Sequence, residues 1–391
     1  MKPLKFIVVG HIDHGKSTLI GRLLLDTNSL PEDRKEKDLA FIVDHLKEER
    51  ERKITIDTSQ TFFKTKKRDY VIIDAPGHQE FIKNMLTGAT QAEAGVLILD
   101  AKEGVKEQTK RHAYLLSLIG IPEIIVLINK MDLVGYKKEV FEKVKEKIEN
   151  FLEKIHQKPK FVLPISALEG ENIIKPSQKM EWFKGPSLIE ALDMLEGKKD
   201  LKEGSFVFSV QGIFENKVLG RVEKGKVVSG KEVFLFPSKK KVKISAIKKY
   251  KEDISEAEAG ECIGLEIESE ILPQRGEVLV EKEDFQPKNE FLGNVFLMEN
   301  LPLEVGEEFL LRVGVQETPA FFEKIEKRID SSSLALKEEN AKRLLPLNVG
   351  EVKIKTKKEI LIKEFSELPE LGRFVIEKKG DIVGAGIIKK L

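Results

Sequence analysis

The chain has almost no cysteine. Of its 391 residues only Cys262 carries a thiol, so no internal disulfide can form and a secreted, disulfide-held fold is excluded. Long apolar runs are missing as well: nothing approaches the roughly 20 residues that a membrane-spanning helix needs. The N-terminal Met-Lys-Pro-Leu-Lys leads into a short strand and not into a signal sequence. A cytoplasmic protein without a membrane segment is expected. An excess of one charge is also absent. Lys+Arg 67 against Asp+Glu 66 leaves a net charge of +1, which argues against an extended nucleic-acid footprint while leaving room for a local basic patch. What is present is 41% hydrophobic and 34% charged residues, ample for two or three cores at this length. Glutamate and lysine richness with scarce cysteine resembles a thermophile's composition.

Against that background one stretch carries chemistry. Gly10-His-Ile-Asp-His-Gly-Lys-Ser17 follows the apolar run Leu4 to Val9 and fits G-x-x-x-x-G-K-[ST], the phosphate-cradling loop between a buried strand and a helix N-terminus. Gly10 and Gly15 let the backbone turn successive N–H groups inward, as an anion nest requires. The helix opening near Lys16 adds its positive end. Lys16 is expected at the β/γ-phosphates and the Ser17 hydroxyl on Mg²⁺. His11, Asp13, His14 and Thr18 complete the expected nucleotide-contacting set.

Downstream, Asp26 to Arg52 is polar and heavily charged, with the i,i+4 pattern of a solvated helix face. Thr55, in Ile54-Thr-Ile-Asp57, is the candidate second hydroxyl on Mg²⁺, on a loop that would order only with γ-phosphate and metal bound. Tyr70-Val-Ile-Ile-Asp74 reads as a buried strand ending in a carboxylate able to hold Mg²⁺ through water. Gly77 can turn its N–H onto a γ-phosphate, and His78 stands where it could orient the attacking water. Val96 to Asp100 and Ile124 to Ile128 are further apolar runs after helical stretches, the pattern of a parallel sheet covered by helices.

The second of these runs ends in Asn129-Lys-Met-Asp132, which selects the base. A carboxylate at Asp132 can accept from guanine's N1–H and 2-amino group, whereas adenine offers no such donors and would leave a buried charge unpaired. Asn129 can meet the base's other edge, and the Lys130 stem can lie over the ring. Ser166, Ala167 and Leu168, after the strand Phe161 to Leu163, can supply a backbone N–H to guanine O6. GTP and GDP with Mg²⁺ are the expected ligands.

A helix entered through Pro186 closes the first domain, and Gly197 to Gly204 is a lysine-rich linker. From Ser205 short alternating strands begin, with turns at Gly225, Gly230 and Gly260, and Phe285 to Asn289 marks a further boundary. The expectation is an α/β P-loop GTPase domain over residues 1–197, followed by β-barrels over 204–283 and 286–391. The runs Lys239–Lys241 and Lys248–Lys249 could touch RNA phosphates or be solvated hairpin tips, the more usual case.

In order and spacing, Gly10–Ser17, Ile54–Ile56, Asp74–His78, Asn129–Asp132 and Ser166–Leu168 resemble the translation-factor GTPases, the family of elongation factor Tu. The resemblance implies one GTPase domain with two barrels, an apolar gate of Ile12 and Ile54 around His78, and Asp13 near the β/γ bridge. Lys53 departs from the family's usual glycine. Within the family, Ile54–Asp57, Asn129–Val134, Ser166-Ala-Leu-Glu-Gly-Glu-Asn172, Leu345-Pro-Leu-Asn348 and Val383-Gly-Ala-Gly386 look closer to the GTPase subunit of bacterial sulfate adenylyltransferase. That branch implies a separate catalytic small subunit as partner. Cys262 stands where tRNA carriers have an asparagine at the aminoacyl ester. His14 instead makes the phosphate loop resemble an elongation factor's, which implies tRNA or ribosome as partner, and the span from Asn28 to Asp44 is short for the sulfate branch.

Overall fold

The computed structural model describes residues 3–30, 39, 42, 59–74, 92–197, 201–250, 252–269, 273–282, 285–298 and 301–391. The continuous apolar runs become largely buried strands, β1 (Leu4–Gly10), β3 (Asp69–Asp74), β4 (Ala94–Asp100) and β5 (Glu123–Asn129), with β2 (Ser59–Lys64) and the half-buried β6 (Phe161–Pro164) at the two edges. Their order is β2-β3-β1-β4-β5-β6. The five strands from β3 to β6 run parallel, but β2 pairs antiparallel with β3, so the sheet is mixed. As an edge strand β2 buries one side only: Phe63 is 1% exposed and Phe62 is 63% exposed.

The helix α1 (Lys16–Asp26) begins directly at the phosphate loop and buries Leu19, Ile20, Leu23 and Leu24, one apolar stripe at helical spacing. The helices Glu107–Leu118 and Lys138–Lys154 follow β4 and β5. The closing helix starts just after Pro186, as expected. It spans Leu188–Asp193, with Ser187 and Glu190 forming a reciprocal capping box. Met180–Phe183, ahead of it, forms turns, tied down where Trp182 Nε1 donates to the Tyr136 carbonyl at 2.9 Å.

The chain divides into two compact units, residues 1–198 with 331–333, and residues 199–330 with 334–391. The second holds two closed barrels. In the first barrel Val207–Phe214, Lys217–Lys224, Cys262–Glu268, Lys240–Lys249, Glu232–Phe236 and Val278–Val280 form the ring. It closes where Glu232–Phe236 pairs with Lys240–Lys249. The second ring is built from Lys288–Leu297, Asn348–Ile360, Gln316–Asp330, Glu308–Val313, Arg373–Lys378 and Asp381–Lys390. Closure comes from pairing Glu308–Val313 with Gln316–Asp330. Gly225 sits at a turn with φ +73°, and a Cβ there would lie 2.6 Å from the Gly204 carbonyl oxygen, so the turn admits glycine alone.

The lysine-rich hairpins are charge-matched. Lys241 pairs with Glu232 at 2.7 Å, Lys243 with Glu268 at 3.3 Å, and Lys249 with Glu261 at 2.6 Å, while Lys248 meets Asp253 and Glu266. A seam joins the barrels. Val207, Phe236, Val278, Val280 and Phe285 pack against Leu361, Leu368 and Leu371. Gln316 Nε2 donates to the Leu361 carbonyl at 2.7 Å, and the Leu361 N–H returns to Gln316 Oε1 at 2.8 Å.

Candidate guanine-nucleotide site

All strands of the first unit's parallel core end at one edge, and the polar residues gather there. Gly10 ends β1, where a Cβ would meet Ile98 Cγ2 and the Ile98 carbonyl oxygen at 2.5 Å. Only a residue without a side chain lets the loop leave β1 this close to β4. Gly15 caps α1 with φ +94°. Lys16 Nζ, buried, donates to the Gly10 carbonyl at 2.6 Å and the His11 carbonyl at 3.0 Å, which folds its ammonium back over the loop. Ser17 and Thr18 form the first turn of α1.

Asp74 ends β3 and is buried; β1 pairs with β3 in the register Val8↔Asp74, one strand from the loop. Ser17 and Asp74 are hard oxygen donors of the kind Mg²⁺ prefers, so the residues present suit that ion. Thr55, Gly77 and His78, together with Ile54, lie outside the described residues.

Asn129, expected at the base, also ties two loops together. Its Nδ2 donates to the His14 carbonyl at 2.9 Å, and its Oδ1 accepts from the Ala167 N–H at 2.9 Å. One buried amide therefore joins the phosphate loop to the base loop. An O6 contact from the Ala167 N–H would share that hydrogen with Asn129. Asp132 Oδ1 accepts from the Ser166 hydroxyl at 2.6 Å, which fixes one carboxylate oxygen and orients the other. Leu168 is 62% exposed.

The Lys130 ammonium is held by Asp100 at 2.7 Å. Burial pushes the Asp100 carboxyl up, but Lys130 and the N–H groups of Lys102 and Glu103 overcome this and hold it below the usual range. Asp100 is not among the residues that the motifs point to, although it ends an apolar run as Asp74 does. His14 has a supporting role that the motif does not reveal. Its ring is buried against the Ile98 carbonyl, 3.4 Å from Nδ1, and Glu103, 3.5 Å from Nε2. The side chain is thus part of the loop's support, and burial lowers its pKa.

His112, buried in the helix Glu107–Leu118, has no motif to reveal it. Burial first, and then the nearby Lys16 ammonium, push its pKa from 6.5 down to about 3. The unfolded chain takes up this proton near pH 6.5 and the folded chain only near 3. Stability is therefore held above the unfolded value and lost as pH falls across that window, by about 1.4 kcal/mol per pH unit. His112→Gln is expected to flatten the acid limb: its melting temperature should drop less between pH 7 and pH 5.5 than that of the unchanged protein. An identical drop in both would remove His112 from the account.

Comparison with known proteins follows the same lines. Residues 1–198 match the elongation factor Tu GTP-binding domain, and residues 290–389 match the family described as GTP-eEF1A C-terminal domain-like. Elongation factor 1-alpha of Pyrococcus furiosus is 36% identical over 98% of this chain and 97% of its own. Sulfate adenylyltransferase subunit 1 of Vibrio atlanticus is 34% identical over 99% of this chain and 86% of its own. That of Aliivibrio fischeri is also 34% identical, with the same coverage. No described helix is long and apolar enough to cross a membrane. With a GTP-binding domain on a mixed sheet, two closed barrels and similarity along nearly its whole length, the chain belongs to the translation-factor GTPase superfamily.

Proposed function

We propose that this GTPase binds GTP and GDP with Mg²⁺ at Gly10–Ser17 and uses hydrolysis as a switch that drives sulfate activation in a partner catalytic subunit. The observation that carries the nucleotide reading is the pair of hydrogen bonds that Asn129 makes, to the His14 carbonyl and from the Ala167 N–H, because it sets the phosphate cradle and the guanine-selecting Asp132 in one rigid frame. Ser17, Thr55 and Asp74 would hold the metal, which neutralises phosphate charge when bound. His78 would orient the attacking water from its place after Gly77.

His78→Ala is expected to cut the stimulated GTP turnover about 100-fold or more while leaving GTP affinity within about threefold. Single-turnover hydrolysis beside equilibrium titration reads both. A turnover equal to that of the unchanged protein would remove His78 from the role.

Sulfate activation is supported by the segment Ser166–Asn172, by Cys262 in the aminoacyl position, and by the likeness to sulfate adenylyltransferase subunit 1. Forming a phosphosulfate anhydride is uphill, and a switch with different partner contacts before and after hydrolysis can drive it. A second reading, delivery of aminoacyl-tRNA or action on ribosomes, is favoured by the likeness to elongation factor 1-alpha and by a surface cavity. That cavity, about 690 Å³, lies on the first barrel beside Phe214, Lys217, Lys248 and Tyr250, the aromatic and cationic mix that stacks bases and meets phosphates. Lys248 already faces Asp253 and Glu266, which reduces its pull on RNA.

Capture with GTP-loaded protein from its own lysate separates the two. A sulfate-adenylylating subunit in the eluate supports the first, whereas tRNA without such a subunit overturns it.

A further inference from the structure

We propose that Arg22, on α1, positions the guanine-selecting loop so that the Leu168 N–H faces the 6-oxo group of the base. The inference rests on the guanine-nucleotide reading above. Arg22 Nε donates to the Ala167 carbonyl at 3.2 Å, and Nη2 donates to the carbonyl of the next residue, Leu168. Nη1 is held by Asp26 one turn along the helix at 3.3 Å. A single i,i+4 ion pair alone would contribute little. The guanidinium fork on two successive carbonyls is different, because it fixes two peptide planes at once.

In a trans peptide the carbonyl and the following N–H point to opposite sides. With the Leu168 carbonyl on Arg22, the Glu169 N–H is turned away and donates to the Ser166 hydroxyl at 3.2 Å. That hydroxyl is the one bonded to Asp132. The same logic applies one peptide earlier. With the Ala167 carbonyl on Arg22, the Leu168 N–H is turned toward the side that carries Asp132. No described atom accepts it, whereas the Ala167 N–H is already given to Asn129. The loop is closed behind this pair by Gly170 and Glu171, whose N–H groups reach the Ser166 carbonyl at 2.8 and 3.1 Å. Gly170, at φ +78°, lies against the guanidinium. Arg22 is thus a positioning residue: it touches no part of the base, and it decides which way the base's donor points.

The test compares three diphosphates. GDP carries the 6-oxo acceptor and the 2-amino group, IDP keeps the 6-oxo but lacks the 2-amino, and 6-thio-GDP keeps the 2-amino with a poorer acceptor at carbon 6. For Arg22→Leu we expect GDP and IDP to weaken together, by about tenfold, and 6-thio-GDP by less than about threefold. The GDP/IDP ratio stays fixed because Asp132 is untouched, while the GDP/6-thio-GDP ratio collapses.

Arg22→Lys keeps the charge and much of the stem but loses the fork. It should show the same pattern at smaller amplitude, and it carries the test if the leucine variant does not fold. Equal weakening of all three diphosphates, or unchanged GDP affinity, would overturn the positioning role. If the unchanged protein binds GDP no better than ADP, the guanine reading itself has failed, a result visible before any variant is made.

Discussion

Asp132→Asn weakens GDP and GTP binding by about 100-fold or more and admits xanthine nucleotides in their place. The carboxylate is expected to accept from the N1–H and the 2-amino group of guanine, and hydrogen bonds to a charged acceptor are worth about 1.5–3 kcal/mol each. Exchanging one oxygen for an NH₂ removes the charge and sets a donor against a donor. The direction of the change follows from Ser166, whose hydroxyl donates to Asp132 Oδ1 at 2.6 Å. In the variant that hydroxyl keeps the amide oxygen on its side and turns the amide nitrogen toward the base. An outward NH₂ suits the 2-oxo group of xanthine and opposes the 2-amino group of guanine. Competition between fluorescent GDP and XDP measures both arms. A variant that keeps the wild-type preference for guanine would dismiss Asp132 as the selecting group.

Asn129→Ala should be more damaging still. The side chain satisfies the His14 carbonyl and the Ala167 N–H, both at 2.9 Å in a buried position. Truncation leaves both without their partner, at about 1–3 kcal/mol each. It also releases the phosphate loop from the base loop. We expect nucleotide affinity to fall about 1000-fold and the melting temperature of the nucleotide domain to fall by about 10 °C. Titration calorimetry and thermal melts give the two values. Affinity within about threefold of wild type would mean that the loops are held together by other contacts. The same packing rejects a side chain at Gly15, where a Cβ would lie 2.4 Å from Asn129 Nδ2.

Much of this site can be read from the residue order. The phosphate loop, the Asn129–Asp132 element and the Ser166–Leu168 loop each have a fixed spacing tied to their chemistry, and the apolar runs before them end as strands within a residue or two of expectation. Other features are hidden because nothing local encodes them. The antiparallel direction of β2 depends on how the chain returns to the sheet edge, and a period-two pattern is the same in either direction. Arg22 reads as one more charged residue on a helix; its two carbonyl partners are 145 and 146 residues away. His14 reads as a nucleotide contact because it lies inside the motif. Nothing local reveals that its ring is buried against the Ile98 carbonyl and Glu103. Met180–Phe183 has apolar residues but no period that announces how its turns pack around Tyr136 and Phe141.

The seam between the barrels has a mechanical consequence. Its apolar side chains and the paired bonds of Gln316 to Leu361 make separation of the two barrels strongly unfavourable, because water would have to wet the whole seam before either barrel could swing free. The pair therefore behaves as a stiff lever. A partner that grips one barrel moves the other through the same arc, and spin labels placed one on each barrel should report the same narrow distance distribution with GDP as with a GTP analogue. Whatever hydrolysis at the phosphate loop changes, it has to act outside this seam.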